Sequence, residues 1–229
     1  MKKIFKNSYV INKNIFKVNK EYSISSKQKK ENKKVRWSSM TSMINRFKLF
    51  FKLIKNKKLN NWLDIGSGTG RFFLIADKLN FNTNFRAGIE VNKNLIRYSK
   101  KNKYKYKTIF KNSDLIKTKD TKKYELVTMI GVLQNCGYQP YFFLKQTIKR
   151  VQNGGIFFLT SRNINWGKLN KESFNNNEPH SWFDINDVEI SLKKLKMTIV
   201  RKGGFLANKN RIVKINSSNS FFILAKKRK

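Results

Sequence analysis

Residues 62–73 read WLDIGSGTGRFF. A short apolar run carrying one aspartate, Asp64, leads into Gly66, Gly68 and Gly70, which alternate with small hydroxyl residues before an apolar run resumes. Glycine has no Cβ to hold a ligand off the backbone, so a loop of this kind is a place for close approach. The ligand is the first question. A phosphate-cradling P-loop requires G-x-x-x-x-G-K-[ST], because a lysine must reach the phosphates and a hydroxyl must hold magnesium. The chain has no Gly-Lys-Ser/Thr. The dinucleotide fingerprint G-x-G-x-x-G needs its third glycine for close helix–strand packing. Counted from Gly66, that position is Arg71. Both nucleotide readings fail at a named residue.

Outward from this loop, strand and helix patterns alternate. NWLDI (61–65) reads as a strand and TGRFFLIADKL (69–79) as a helix with Phe72, Ile75, Ala76 and Leu79 on one face. FRAGIEV, TIFKNSDL, YELVTMIGVL and GGIFFLTSRN are further strands, separated by the helical stretches NKNLIRYSKKN and PYFFLKQTIKRV. A polar loop follows, then the helix DINDVEISLKKL and the strands MTIVRKGGF and SFFILAKK. This order predicts an α/β fold, doubly wound around a mainly parallel seven-stranded sheet, with ligands at the carboxyl edge of the strands. Upstream, Met40, Met43, Ile44, Phe47, Phe50, Phe51 and Ile54 recur at three- and four-residue intervals, the mark of an amphipathic helix that packs on a core. Residues 1–36, which contain the polar run SISSKQKKENKK, read as an irregular, basic, mobile arm, and 37–229 as the α/β domain with its lead-in helix.

The formal net charge is +38. Lysine outnumbers arginine 41 to 10, and asparagine is abundant, as A/T-rich codon usage would produce. The same pressure would also enrich Asp and Glu, which total only 13. Residues 1–58 carry a net +16 and residues 193–229 a net +12, against +10 for the middle. Two readings stand: a basic surface that attracts RNA or another polyanion, or a solvated lysine-rich exterior without a dedicated partner. No run reaches the about 18 apolar residues of a membrane span, and lysines and asparagines interrupt the N-terminal stretch before a signal-peptide segment forms. The expected compartment is cytoplasmic, consistent with the single cysteine, Cys136. No Cys/His cluster or spaced carboxylate set points to a metal.

Asp64 two positions before the first glycine, the three glycines, and Glu90 twenty residues after Gly70 resemble class I S-adenosylmethionine-dependent methyltransferases. NSDL, the strand YELVTMIGVL and the turn in RVQNGGIFFLTSRN, with Asn153 in place of the usual proline, match later landmarks of that family in order. The resemblance covers about residues 58–225 and implies S-adenosylmethionine as cofactor. It implies that Gly66, Ser67, Gly68 and Gly70 pass under the ligand and that Asp64 orients the loop and, often through water, the cofactor's ammonium. Glu90 would accept the ribose hydroxyls, a bidentate fit. Asp114, Leu115 and Ile130 would surround the adenine.

The methyl acceptor is the next question. Amino-methylating nucleic-acid enzymes of this fold usually carry [DNS]-P-P-[YFW] after the fourth strand; here the place reads IGVLQNCG, which speaks against that chemistry. Cys136 lacks the Pro-Cys context of C5 methylation and reads as a small packing or cofactor-adjacent residue. Gln134 and Asn135 end the fourth strand where cofactor and acceptor would meet. The loop NINWGKLNKESFNNNEPHSWF holds the sole histidine, His180, with Trp166, Trp182 and Phe183. It resembles the acceptor loop of small-molecule O-methyltransferases, including those of ubiquinone biosynthesis. That resemblance implies His180 as base or orienting group and the three aromatics as pocket walls; the alternative is that His180 caps the following helix. The sequence therefore supports methyl transfer to a small molecule, at oxygen before nitrogen or carbon. An RNA methyltransferase and a cofactor-binding protein without turnover remain as rivals.

Overall fold

The computed structural model describes residues 4–11, 14–54, 58–169 and 180–229. Its frame is one twisted sheet of eight strands: β1 (Asn61–Ile65), β2 (Phe85–Glu90), β3 (Lys107–Asn112), β4 (Tyr124–Ile130), β5 (Val151–Arg162), β6 (Met197–Leu206), β7 (Arg211–Val213) and β8 (Ser220–Lys227). Their spatial order is β3-β2-β1-β4-β5-β8-β6-β7. The first five run parallel, while β8 lies antiparallel between β5 and β6. The seven strands read from the sequence are all present. The eighth, β7, is a three-residue strand that folds back on β6 and is too short to show a period of its own.

Alternation along the strands divides the core into two layers. Leu63, Ile65, Val127 and Met129 face the layer covered by α6 (Pro140–Lys149) and α8 (Ile185–Lys194). Trp62, Leu126, Ile130 and Phe158 face the other layer, under α3 (Met40–Leu53), α4 (Arg71–Lys78) and α5 (Lys93–Lys101). A short helix, α7 (Ile164–Leu169), follows β5. The expected lead-in helix is α3. Its Phe50 is fully buried and meets the rings of Trp62, Phe72 and Phe158 at centroid distances of 5.9, 5.5 and 5.2 Å. Aromatic packing of this kind contributes about 0.5–1.5 kcal/mol per pair beyond area burial.

Among the described residues of the N-terminal region, 14–36 contain two helices. Asn14 caps the helix α1 (Ile15–Ser25), accepting from the Lys17 N–H at 2.9 Å, and a short helix α2 (Glu31–Lys34) follows. Ahead of them, Tyr9 and Trp182 exchange two backbone hydrogen bonds of 2.8 Å. Asp187 accepts from the Asn7 N–H at 2.9 Å and from the Ser8 hydroxyl at 2.8 Å. The helical spacing Ile15, Val18, Tyr22 is present in the sequence, but lysines and asparagines dilute it; tertiary contacts hold the helix.

The chain leaves β1 toward β2 and β3, then crosses back to β4 and β5. The switch between β1 and β4 parts the loops at their carboxyl ends and opens a crevice there. Among the described residues, no helix is long and apolar enough to cross a membrane.

Candidate active site

Two cavities adjoin at this switch point. The first, about 90 Å³, lies between the glycine loop, the end of β2 and the turn after β4, with Ile15, Val18 and Tyr22 of α1 above it. Gly66 and Gly68 form part of its floor with φ of +69° and +54°. Side chains rarely adopt that backbone geometry. A Cβ on Gly66 would also lie 2.4 Å from Val132, and one on Gly68 2.9 Å from Val35. The bare backbone is therefore required by conformation and by space.

Glu90 ends β2 in this cavity. Its Oε2 accepts from the Gly68 N–H at 3.1 Å and its Oε1 from the Asn92 N–H at 2.9 Å. Burial pushes its pKa up, and those backbone donors oppose the shift. Each carboxylate oxygen has further lone-pair capacity, so two hydroxyls of a ribose fit this group. Asp114 is oriented by the Ile116 N–H at 2.9 Å and by the Tyr138 hydroxyl. Leu115 and Ile130 supply apolar walls. Cys136 also lines the cavity; burial raises its thiol to about 11, so it is neutral at physiological pH and packs rather than attacks.

Three residues expected on this cavity lie elsewhere. Gly70 caps α4 with its Cα beneath Tyr104. The Ser67 hydroxyl is packed over Gly88, where an added Cβ would lie 2.6 Å from it. Asp64 and Ser67 line a small side cavity of about 40 Å³ that borders the first across Gly66, Gly68 and Ile130. There Asp64 accepts from the Thr128 hydroxyl at 2.6 Å, which in turn accepts from the Trp62 indole N–H at 2.8 Å. Burial raises Asp64 to about 7. Arg71 faces the same side cavity, and its Nε and the Ser67 Oγ are buried without partners. A carboxyl group, a guanidinium and an unpaired hydroxyl suit the ammonium and carboxylate of an amino acid. The part of Arg71 is not legible in the sequence, where it registers only as the residue that breaks a dinucleotide motif.

The second cavity, about 230 Å³, lies beside the first and is lined mainly by polar groups. His180, Gln134, Asn135, Trp166 and Trp182 all face it, as the sequence suggests. The Nδ1 of His180 lies 2.6 Å from the Asn135 Oδ1, so a ring N–H there donates to the amide oxygen. Gln134 is tied down by the Arg162 N–H at 3.1 Å. Phe183 is the exception. It is fully buried in the core, edge-on to Phe5 at 5.5 Å, because alternation turns it away from the cavity that its neighbour Trp182 lines. Residues 170–179 of the acceptor loop lie outside the described residues.

Tyr22, Val35, Trp37, Gly131 and Asn135 border both cavities. Tyr22, Val35 and Trp37 come from the region before or at the start of the lead-in helix and were missed by sequence reasoning. The N-terminal helices are fastened onto the site: Glu31 accepts from the Thr69 hydroxyl at 2.9 Å and pairs with Arg71 at 3.2 Å. Asn92 reaches Asn19 and Ser23, each at 2.9 Å. Tyr22 is raised to about 12 by burial first and then by the Glu90 charge, so its phenol is neutral.

Comparison with known proteins places this geometry. No curated protein matches the chain by sequence. Among solved structures, an S-adenosylmethionine-dependent methyltransferase from Clostridium acetobutylicum is similar over 92% of this chain and 99% of its own, at 14% identity and TM-score 0.64. The N-methyltransferase NodS from Bradyrhizobium japonicum, in complex with S-adenosylhomocysteine, is similar over 93% of this chain and 99% of its own, at 13% identity and TM-score 0.64. The [4+2]-cyclase SpnF is similar over 97% of this chain and 99% of its own, at 11% identity and TM-score 0.68. At such identities the likeness is one of fold, and SpnF's chemistry is a reminder that this fold is not confined to one reaction. A family model described as a methyltransferase domain matches residues 56–204, from just before β1 into β6. A match over that much of the sequence, on this sheet order, shows that the chain belongs to the methyltransferase-domain family.

Proposed function

We propose that the protein transfers a methyl group from S-adenosylmethionine to a small-molecule acceptor, at oxygen. The observation that carries this reading is the common wall between the two cavities. One cavity offers Glu90 and a bare glycine floor to an adenosyl group; the other offers His180 and Asn135 to an acceptor. Bound S-adenosylmethionine supplies an electrophilic methyl group and a good leaving group, which leaves alignment and the exclusion of water to the protein.

Glu90 holds the ribose through its free lone pairs, and Asp114 meets the adenine edge beside Leu115 and Ile130. Asp64, Ser67 and Arg71 bracket the amino-acid end. Residues 14–36 act as a lid: α1 roofs the first cavity, and the α2 residue Glu31 ties it to the glycine loop. In the acceptor cavity, the Nδ1–H of His180 donates to Asn135, which makes Nε2 the basic nitrogen of that tautomer. His180 takes the proton of the acceptor hydroxyl, and this base is the ground for preferring oxygen. Trp166 and Trp182 keep water out.

Calorimetry with S-adenosylhomocysteine and label transfer from methyl-tritiated S-adenosylmethionine to the dialysable fraction of a cell extract test the reaction. Binding without transfer to any fraction would leave a cofactor-binding protein without turnover. For the base, His180→Gln is expected to slow single-turnover transfer by about 100-fold or more, in line with general base catalysis. An unchanged rate at saturating acceptor removes His180 from the chemistry.

A further inference from the structure

We infer that the acceptor is an organic anion, and that its carboxylate or phosphate is gripped in the second cavity by Arg46, with Arg36 and Arg162 on the same wall. The inference rests on the methyl-transfer reading above and adds the substrate class.

The first observation is one of residue choice. Lysine outnumbers arginine 41 to 10 in this chain, yet beside His180 the three cationic side chains among the described residues of the cavity are all arginines. No lysine, aspartate or glutamate lies among the described residues that line it. A solvated basic face in this protein would be built from lysine. Arginine offers a planar fork of donors that fits a carboxylate or phosphate in bidentate fashion, which lysine does not.

The second observation is how Arg46 is held. It leaves the buried side of α3 and donates from one terminal nitrogen to the Ser42 carbonyl at 3.2 Å and the Ser42 hydroxyl at 2.5 Å. Its guanidinium lies over the Trp37 ring at 4.7 Å. These contacts fix its plane and leave other donors to spare. No described carboxylate reaches it, and its charged neighbour is another cation: burial and Arg162 together lower its pKa to about 9. Arg36 is paired with Glu21, and Arg162, stacked on Trp182 at 4.7 Å, lies beside Arg46 as a second guanidinium on this wall.

Third, the same wall holds a hydroxyl with no partner. Thr160 lines this cavity at 2% exposure, and its Oγ is buried and unsatisfied. Native structures rarely leave such a group unpaired without a use for it. An oxyanion can accept from it as well. Because guanidinium contact withdraws charge from the bound oxygens, this group is a handle, and the atom that receives the methyl group is a different one.

Trp37, Trp166 and Trp182 line the cavity, so intrinsic fluorescence reads out binding. The full-length protein is saturated with S-adenosylhomocysteine and titrated with benzoate, with inorganic phosphate, and with benzamide as the neutral analogue of benzoate. Benzoate or phosphate is expected to give a saturable change, at least tenfold tighter than benzamide. The tighter of the two anions identifies the handle as carboxylate or phosphate. Arg46→Met should weaken that anion at least tenfold, Arg46→Lys should fall between it and the native protein, and S-adenosylhomocysteine affinity should stay within twofold in both, which also reports that they fold. Benzamide binding as tightly as the anions, or an Arg46→Met variant that keeps full anion affinity, overturns the inference. So does displacement of the anion from this cavity by a short single-stranded RNA, which would assign the arginines to a nucleic-acid backbone. Loss of S-adenosylhomocysteine binding by the native protein would strike the methyl-transfer reading instead, and the contrast between benzoate and benzamide, repeated without that ligand, would still decide this one.

Discussion

Asp64 and Glu90 are both buried carboxyl groups, and the difference between them is what holds the charge. Glu90 accepts two backbone N–H groups, whereas Asp64 accepts one hydroxyl, from Thr128. Burial raises Asp64 to about 7, above the about 3.9 of an unfolded chain. The folded state therefore keeps this proton longer than the unfolded state does. The resulting stability is fully present below about pH 4 and is lost as pH rises through 7. Glu90, also raised, acts in the same direction. The melting temperature of the ligand-free protein is expected to fall between pH 5 and 7.5, and Asp64→Asn should flatten that fall; an identical slope in the variant refutes the assignment. Glu90→Gln replaces one of the two accepting oxygens with an NH2 group, which then faces either the Gly68 or the Asn92 N–H. Hydrogen bonds to a charged group contribute about 1.5–3 kcal/mol, so S-adenosylhomocysteine affinity should drop roughly 10- to 100-fold by calorimetry. The Asp–Gly–Gly–Gly–Glu spacing is legible in the sequence because each residue does its work locally. The positions of Ser67 and Phe183 are not, since a side chain's direction at a loop or strand end depends on what packs behind it.

Among the elements, the N-terminal helices decide how closed the site is. Helix α1 contributes Tyr22 to the wall between the cavities, and α2 reaches the glycine loop through one residue, Glu31. Glu31→Ala removes the bond to Thr69 and the ion pair with Arg71. We expect faster amide hydrogen exchange across residues 14–36 with β1 and β4 still protected, and a roughly 3- to 10-fold loss of S-adenosylhomocysteine affinity. Uniform exchange across the whole chain would mean instead that Glu31 supports global stability. The sequence shows α3 plainly because seven apolar residues mark its buried face. It conceals α1 because the apolar face of that helix is three residues wide and its remaining positions carry the lysine and asparagine of an arm.

At the scale of the whole molecule, the net charge of +38 is spread over many exposed lysines, whereas the cavity wall carries arginines. Exposed charges are screened by salt far more than buried ones. Raising potassium chloride from about 50 to about 200 mM should change turnover of a small acceptor less than twofold. An RNA gripped through six or more phosphates would weaken about a thousandfold or more over the same range. Methylation that collapses with salt in this way would return the protein to the RNA reading.

The order of the seven longer strands and of the helices between them, the glycine loop and the Glu90 position were determined by the sequence itself, because hydrophobic period and backbone freedom are properties of short stretches. The union of the acceptor cavity was decided only by the tertiary structure. Arg46 comes from the lead-in helix, His180 from the loop before α8, Thr160 from β5 and Tyr22 from α1. No local pattern links residues so far apart along the chain; they meet because the sheet switches direction between β1 and β4 and the packed helices bring them to the same edge.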